Sequence, residues 1–129
     1  MADTGFAATG KTDPGWYGGG IYLTNDSKYA LEYCKTGPKW LVLTAATPGN
    51  IYPVTELNSS TDTTPGLASL KGKACEPGYQ SHITYVPKGN LLHAHPVTAP
   101  TAIDSQLHAV EVVLFEGGQV LPLFIFCMK

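Results

Sequence analysis

The sequence predicts a β-rich α+β domain, on three observations. Glycine and proline supply 14 and 10 of the 129 residues and fall between apolar runs, the pattern of turns punctuating strands. Several of those runs have strand length, and one segment alone carries clear helical spacing. Hydrophobic residues make up 43% of the chain and charged residues 14%, enough apolar surface for a core and too little charge for a disordered chain. The length fits one domain, taken as residues 1–129.

The elements follow in chain order. "GIYLT" reads as a short strand leading into the helix. Asn25 or Asp26 can cap that helix, because either side chain accepts a bond from an orphan backbone N–H. Ala30, Tyr33 and Cys34 then share one face at i, i+3, i+4 spacing, and Gly37-Pro38 ends the helix. "KWLVLTAA", Lys39 to Ala46, is a continuous apolar run, which predicts a strand covered on both faces. "NIYPVTE" follows the turn dipeptide Pro48-Gly49. Residues 57–73 are polar and rich in Ser, Thr and Pro, which predicts a long surface loop with one helical turn near Leu67 to Leu70. "YQSHITYV", Tyr79 to Val86, alternates as a strand does. A second long connection, "PKGNLLHAHPVTAPTAIDSQ", precedes two final strands, "HAVEVVLF" and "QVLPLFIFCM", joined around Glu116-Gly117-Gly118. Pro122 places an edge or a bulge in the last strand.

Composition excludes several functions. The net charge is −2, and the eight Lys and Arg residues form no run, so the chain lacks the electrostatic footprint of a nucleic-acid or anionic-membrane binder. No apolar stretch reaches the roughly 20 residues of a membrane-spanning helix. The N-terminal "MADTGFAATGKTDPG" has neither the basic region nor the apolar core of a signal peptide, so the expected compartment is the cytoplasm or nucleus. Cys34, Cys75 and Cys127 are odd in number and widely spaced, the usage of reduced thiols rather than of disulfides or zinc. His93 and His95 in "LLHAHPV" have no cysteine or carboxylate beside them to complete a site. No metal is expected.

Two features stand out from this background. Glu111 lies on a strand whose two faces, Val113 and Phe115 on one and Val110, Val112 and Leu114 on the other, are both apolar. A carboxylate there either sits at the strand's start and points to solvent, or is paired or opens onto a cleft. Tyr22 and Tyr33, 11 residues apart across a strand-to-helix unit, are either ordinary core residues or two parallel rings bounding a slot for a flat heterocycle. Glycines 18 to 20 allow the backbone to approach a bound group, since no Cβ intrudes. The spacing of a GxGxxG dinucleotide motif is absent.

"GWYGGGIYLTNDSKYALEYC" resembles the signature of poly(ADP-ribose) polymerase-like ADP-ribosyltransferases, in which a G-x-G-I-Y-F strand leads into a helix ending Y-C. "EVVLFEGGQVLPLFIF" is similar to the end of the same domain, a strand beginning with the catalytic glutamate and continuing to Q-V-L-P. "KWLVLTAATPGNIYPVTE" and "GYQSHITYV" fall between them in the family's order, so the resemblance runs from about Gly5 to Phe126. It implies the ADP-ribosyltransferase-like fold: two packed, mainly antiparallel sheets with one or two short helices.

By position the resemblance assigns Tyr22 to the tyrosine of the family's His-Tyr-Glu triad, stacked on nicotinamide, and Tyr33 to the second stacking ring. Glu111 matches the catalytic glutamate, which bonds ribose hydroxyls and stabilises the positive centre left as nicotinamide departs. Gly20 and Ala30 fall at the NAD-binding positions of the same motif. NAD is the implied co-substrate, without a metal, and the acceptor, a protein or another molecule, is not specified. Transfer of single ADP-ribose units is favoured, since no site for an elongating acceptor is identifiable.

Two positions depart from the family. No histidine precedes Gly5, where the triad's first member belongs; His82, His93, His95 and His108 all come later. Ala30 stands where the polymerases commonly carry a serine bonded to the nicotinamide amide. Both departures predict weak NAD binding. They keep open a catalytically inactive relative that binds NAD, ADP-ribose or a protein, and, further away, a secreted carbohydrate-binding protein.

Overall fold

The computed structural model describes residues 15–54, 70–88 and 106–128. In order these form β1 (Ile21–Leu23), α1 (Ser27–Glu32), β2 (Lys39–Ala46), β3 (Ile51–Pro53), β4 (Ser81–Pro87), β5 (His108–Leu114) and β6 (Val120–Met128), with a single 3-10 turn at Gly117–Gln119 ahead of β6. The described residues are β-rich, with two sheets and one short α-helix, an α+β arrangement. One sheet has four strands in the order β1-β5-β4-β3, and the other pairs β2 with β6. All pairings are antiparallel except β3 with β4.

β5 is flanked on both sides and carries the core. On one sheet face Val113, Ala109 and Val86 pack with Tyr17, Tyr29, Val54 and Leu70; on the other Leu114 packs with Ile21 and Val120. The doubly apolar pattern of β5 is therefore used on both sides. The first face also carries buried polar groups from neighbouring strands, and each is bonded. His82 places Nδ1 2.7 Å from the Tyr17 carbonyl and accepts from the Glu76 N–H at Nε2. The tautomer is thus fixed with the proton on Nδ1, and burial pushes the imidazole pKa down. Thr84 donates to the Val54 carbonyl.

Gln119 joins the two sheets. Its amide donates to the carbonyls of Thr47, at the end of β2, and Gln80, at the start of β4, while its carbonyl accepts from the backbone of Phe115 and Glu116. Between β2 and β6 the register shifts at Leu43 and Thr44 of β2, whose partners are Phe124 and Pro122. Leu123 is thus the extra residue of a bulge beside the proline, which cannot donate to the ladder.

The expectation for β2 needs correction. It is not covered on both faces: Trp40, Val42 and Leu43 are exposed, as are most residues of β6. A continuous apolar run reads as buried twice over, but β2 has β6 as its strand partner and no second layer outside it among the described residues. The turn expected near Leu67 to Leu70 and the His93/His95 pair lie outside the described residues, apart from Leu70, which is buried. No described helix is long and apolar enough to cross a membrane.

Candidate functional site

Glu111 occupies the middle of β5 and is 4% exposed. It does not sit at the strand's start facing solvent. The register explains what covers it. β1 ends with Leu23 opposite Val112, one step short of Glu111, and the chain turns there into α1. Asp26, rather than Asn25, caps the helix: its carboxylate accepts from the Tyr29 N–H at 3.0 Å. Lys88 holds the other carboxylate oxygen at 2.5 Å, and these two contacts keep the Asp26 pKa below its ordinary value.

The helix so anchored carries Tyr29 and Tyr33 one turn apart, on the same face. Both hydroxyls reach the Glu111 carboxylate. Tyr29 donates to Oε1, as does Tyr33 at 3.0 Å. The two hydroxyls are 2.9 Å from each other, and the rings meet edge to face at 5.5 Å. Both phenol bonds fall on Oε1 and neither on Oε2. Burial pushes the Glu111 pKa up, and the two phenol bonds oppose that rise. Both phenols titrate above the ordinary tyrosine range, chiefly through burial and then through the Glu111 charge and bonds.

Glu111 opens onto a cavity of about 320 Å³, also lined by Tyr22, Tyr29 and Ala30, with residues of β1 on one side and Trp40 to Thr44 of β2 on the other. Three of the sequence-assigned positions, Glu111, Tyr22 and Ala30, thus meet in one place.

Two do not. Tyr33 is not among the lining residues and forms no opposing wall to Tyr22; its ring is held against Tyr29 and its hydroxyl on Glu111. The expected double stacking slot is therefore replaced by a carboxylate clamp, because the short helix turns Tyr33 toward β5. Gly20 also lies outside the cavity wall. A Cβ there would come within 2.5 Å of the Leu114 carbonyl and 2.7 Å of a Val113 methyl, so its lack of a side chain serves the packing of β1 on β5. Gly18, at φ 124°, likewise leaves space for the Phe115 ring. The glycine run accommodates the protein's own groups.

Tyr22 is itself tethered. Its hydroxyl donates to the Gly18 carbonyl at 2.9 Å and accepts from the Tyr17 N–H at 2.8 Å. Its ring is fixed at the cavity by the loop that precedes β1.

The sequence reading missed Tyr29. Its i, i+4 relation to Tyr33 is the signal in the sequence, but the i, i+3, i+4 spacing of Ala30, Tyr33 and Cys34 does not include it. Cys34, Cys75 and Cys127 are free thiols. Among the described residues no group of three or more His, Cys, Asp or Glu side chains could hold a metal.

No match is found. Comparison with protein-family models, with curated proteins and with solved structures returns none at any of the three.

Proposed function

We propose that this chain is an NAD-dependent ADP-ribosyltransferase-type domain, transferring single ADP-ribose units with release of nicotinamide. The observation that carries the reading is the buried Glu111 carboxylate, clamped by two phenols on one oxygen and lining a cavity with Tyr22 and Ala30. The resemblance in four ordered motifs also names Glu111, Tyr22, Tyr33 and Ala30, though not Tyr29.

The chemistry asks for a fixed negative charge beside a developing positive one. The bond between nicotinamide and ribose C1′ breaks, its electron pair leaves with the nicotinamide, and an acceptor attacks C1′ and gives up a proton. A carboxylate held in a site of low water content stabilises the cationic ribose more than it would in water. Tyr29 and Tyr33 favour the ionised form of Glu111 against the effect of burial and aim it, as positioning residues. Tyr22 offers a tethered aromatic face for the heterocycle. A cavity of about 320 Å³ is at the small end of ligand pockets and suits the nicotinamide-ribose half of NAD, with the rest of the molecule outside. Ala30 offers no hydrogen bond to a carboxamide, which supports weak NAD binding.

A binding role without turnover is the second reading. It is favoured by the tight pairing of Glu111 with two hydroxyls, which can serve structure as well as catalysis. Nicotinamide release from NAD by the wild type and by Glu111→Gln separates the two. The enzyme reading expects a loss of at least tenfold, since each 1.36 kcal/mol of lost transition-state stabilisation is about a factor of ten. Release from the wild type that Glu111→Gln leaves unchanged, or no release from either protein, leaves the binding reading.

A further inference from the structure

The two-stranded sheet is an open apolar surface. Register places Leu43, Phe124, Phe126, Met128 and, beyond the bulge, Leu121 on one face, and the Phe124 and Phe126 rings touch there at 6.3 Å. The five are between 44% and 62% exposed. Val120, on the opposite face, is buried against Leu114 and Ile21; Trp40, Val42 and Ile125 of that face are exposed as well, but the face with the phenylalanines contributes no residue to the buried clusters. Lys39, at one end, is the only charged residue in either strand.

We infer that the face carrying Phe124 and Phe126 is a self-association surface on which a second copy of the chain packs face to face, as a two-fold symmetric dimer. The area argues for that occupant. A large apolar side chain offers on the order of 150–250 Å², so five at about half exposure present roughly 500 Å². A standard interface buries about 800 Å² per partner, and its core is about 65% apolar, again roughly 500 Å². A flat sheet face is self-complementary, and two such faces stack about 10 Å apart with side chains interleaved. The near absence of charge removes any like-charge penalty between copies and gives nothing to recruit a charged partner. A two-stranded ribbon gains its stability from what covers it, and the second copy supplies that layer. The surface adjoins the candidate site: Leu41, on the same face, and Leu43 also line the cavity at Glu111. The inference rests on the exposed face alone and is independent of the proposed chemistry.

Sedimentation equilibrium of the 129-residue protein at about 1–100 μM, a range in which interfaces of this size form or dissociate, tests it. The expected result is a monomer–dimer equilibrium, weakened at least tenfold by Phe124→Lys and separately by Phe126→Ser. Leu107→Lys, at an apolar position 62% exposed outside the ribbon, is expected to leave it unchanged. Circular dichroism melts establish that each variant folds. A wild type that stays monomeric throughout, a dimer indifferent to both phenylalanine variants, or an open series of larger oligomers through the strand edges would overturn the inference.

Discussion

The Tyr29 hydroxyl donates to the Glu111 carboxylate across 82 residues of sequence. Both groups are all but fully buried. The bond joins the only α-helix of the described structure to its central strand, and it decides what the carboxylate can do. An isolated buried carboxylate would take up a proton. Two phenol donors on Oε1 stabilise the anion at the wall of the cavity.

Tyr29→Phe removes one of those donors with little change of shape. The Glu111 pKa is then expected to rise further, because burial is opposed by one bond instead of two. Activity that requires the anion should show an acidic limb moved to higher pH. Stability near neutral pH should fall by about 1.5–3 kcal/mol, the scale of a hydrogen bond to a charged group. A pH–rate profile of nicotinamide release beside thermal melts checks both. A merely structural tyrosine would lower the melt and leave the limb in place.

Glu111→Gln should change the pH dependence of stability as well as activity. Burial raises the folded-state pKa above the ordinary 4.5, so below about that pH the folded protein enjoys the full contribution of the neutral carboxyl. The contribution is lost as pH rises through the folded-state value. The glutamine has no such titration. The variant should therefore gain on the wild type as pH increases from 4.5 into the neutral range, and the gap should close on acidification. Denaturant melts at a series of pH values measure the difference; a gap that widens toward acid would contradict the sign.

Asp26→Ala should destabilise the helix that presents both tyrosines. Loss of an N-cap costs about 1 kcal/mol, and the Lys88 contact goes with it. A displaced helix should also loosen the clamp on Glu111. Amide exchange of residues 27–33 should accelerate, and Asp26→Asn, which retains a capping oxygen, should restore most of the protection.

Gly20→Ala should be more damaging than an exposed glycine change. The added methyl meets the Leu114 backbone and the Val113 side chain, and overpacking of this kind costs about 1–3 kcal/mol. Gly118→Ala, where an added Cβ meets nothing within 4 Å, serves as the control and should melt with the wild type. Equal melting of the two variants would show that β1 can shift from β5 at no cost.

Much of the secondary structure was legible because it rests on local rules. The run from Lys39 to Ala46 is β2 to the residue, Pro122 sits at the bulge, and one of the two proposed caps, Asp26, holds the helix. The oddness of Glu111 was also legible, since a carboxylate in an alternating apolar strand conflicts with its neighbours wherever the strand lies. The exposure of β2 was not. A continuous apolar sequence reports that a strand could be covered twice, while layering is decided by what else packs there.

The same division runs through the site. Sequence by itself determined a strand, a turn and a helix carrying Tyr22, Ala30 and Tyr33, and a distant strand carrying Glu111. Tertiary structure decided which of these meet. β1 stops at Leu23, opposite Val112, so α1 rather than a strand lies over Glu111, and the helix brings Tyr29 and Tyr33 to the carboxylate while Tyr22 stays with the glycine loop. Side-chain periodicity fixes which residues share a face of one element. Which face meets which depends on register and on where a neighbouring strand ends, and both are set by contacts between residues far apart in the chain.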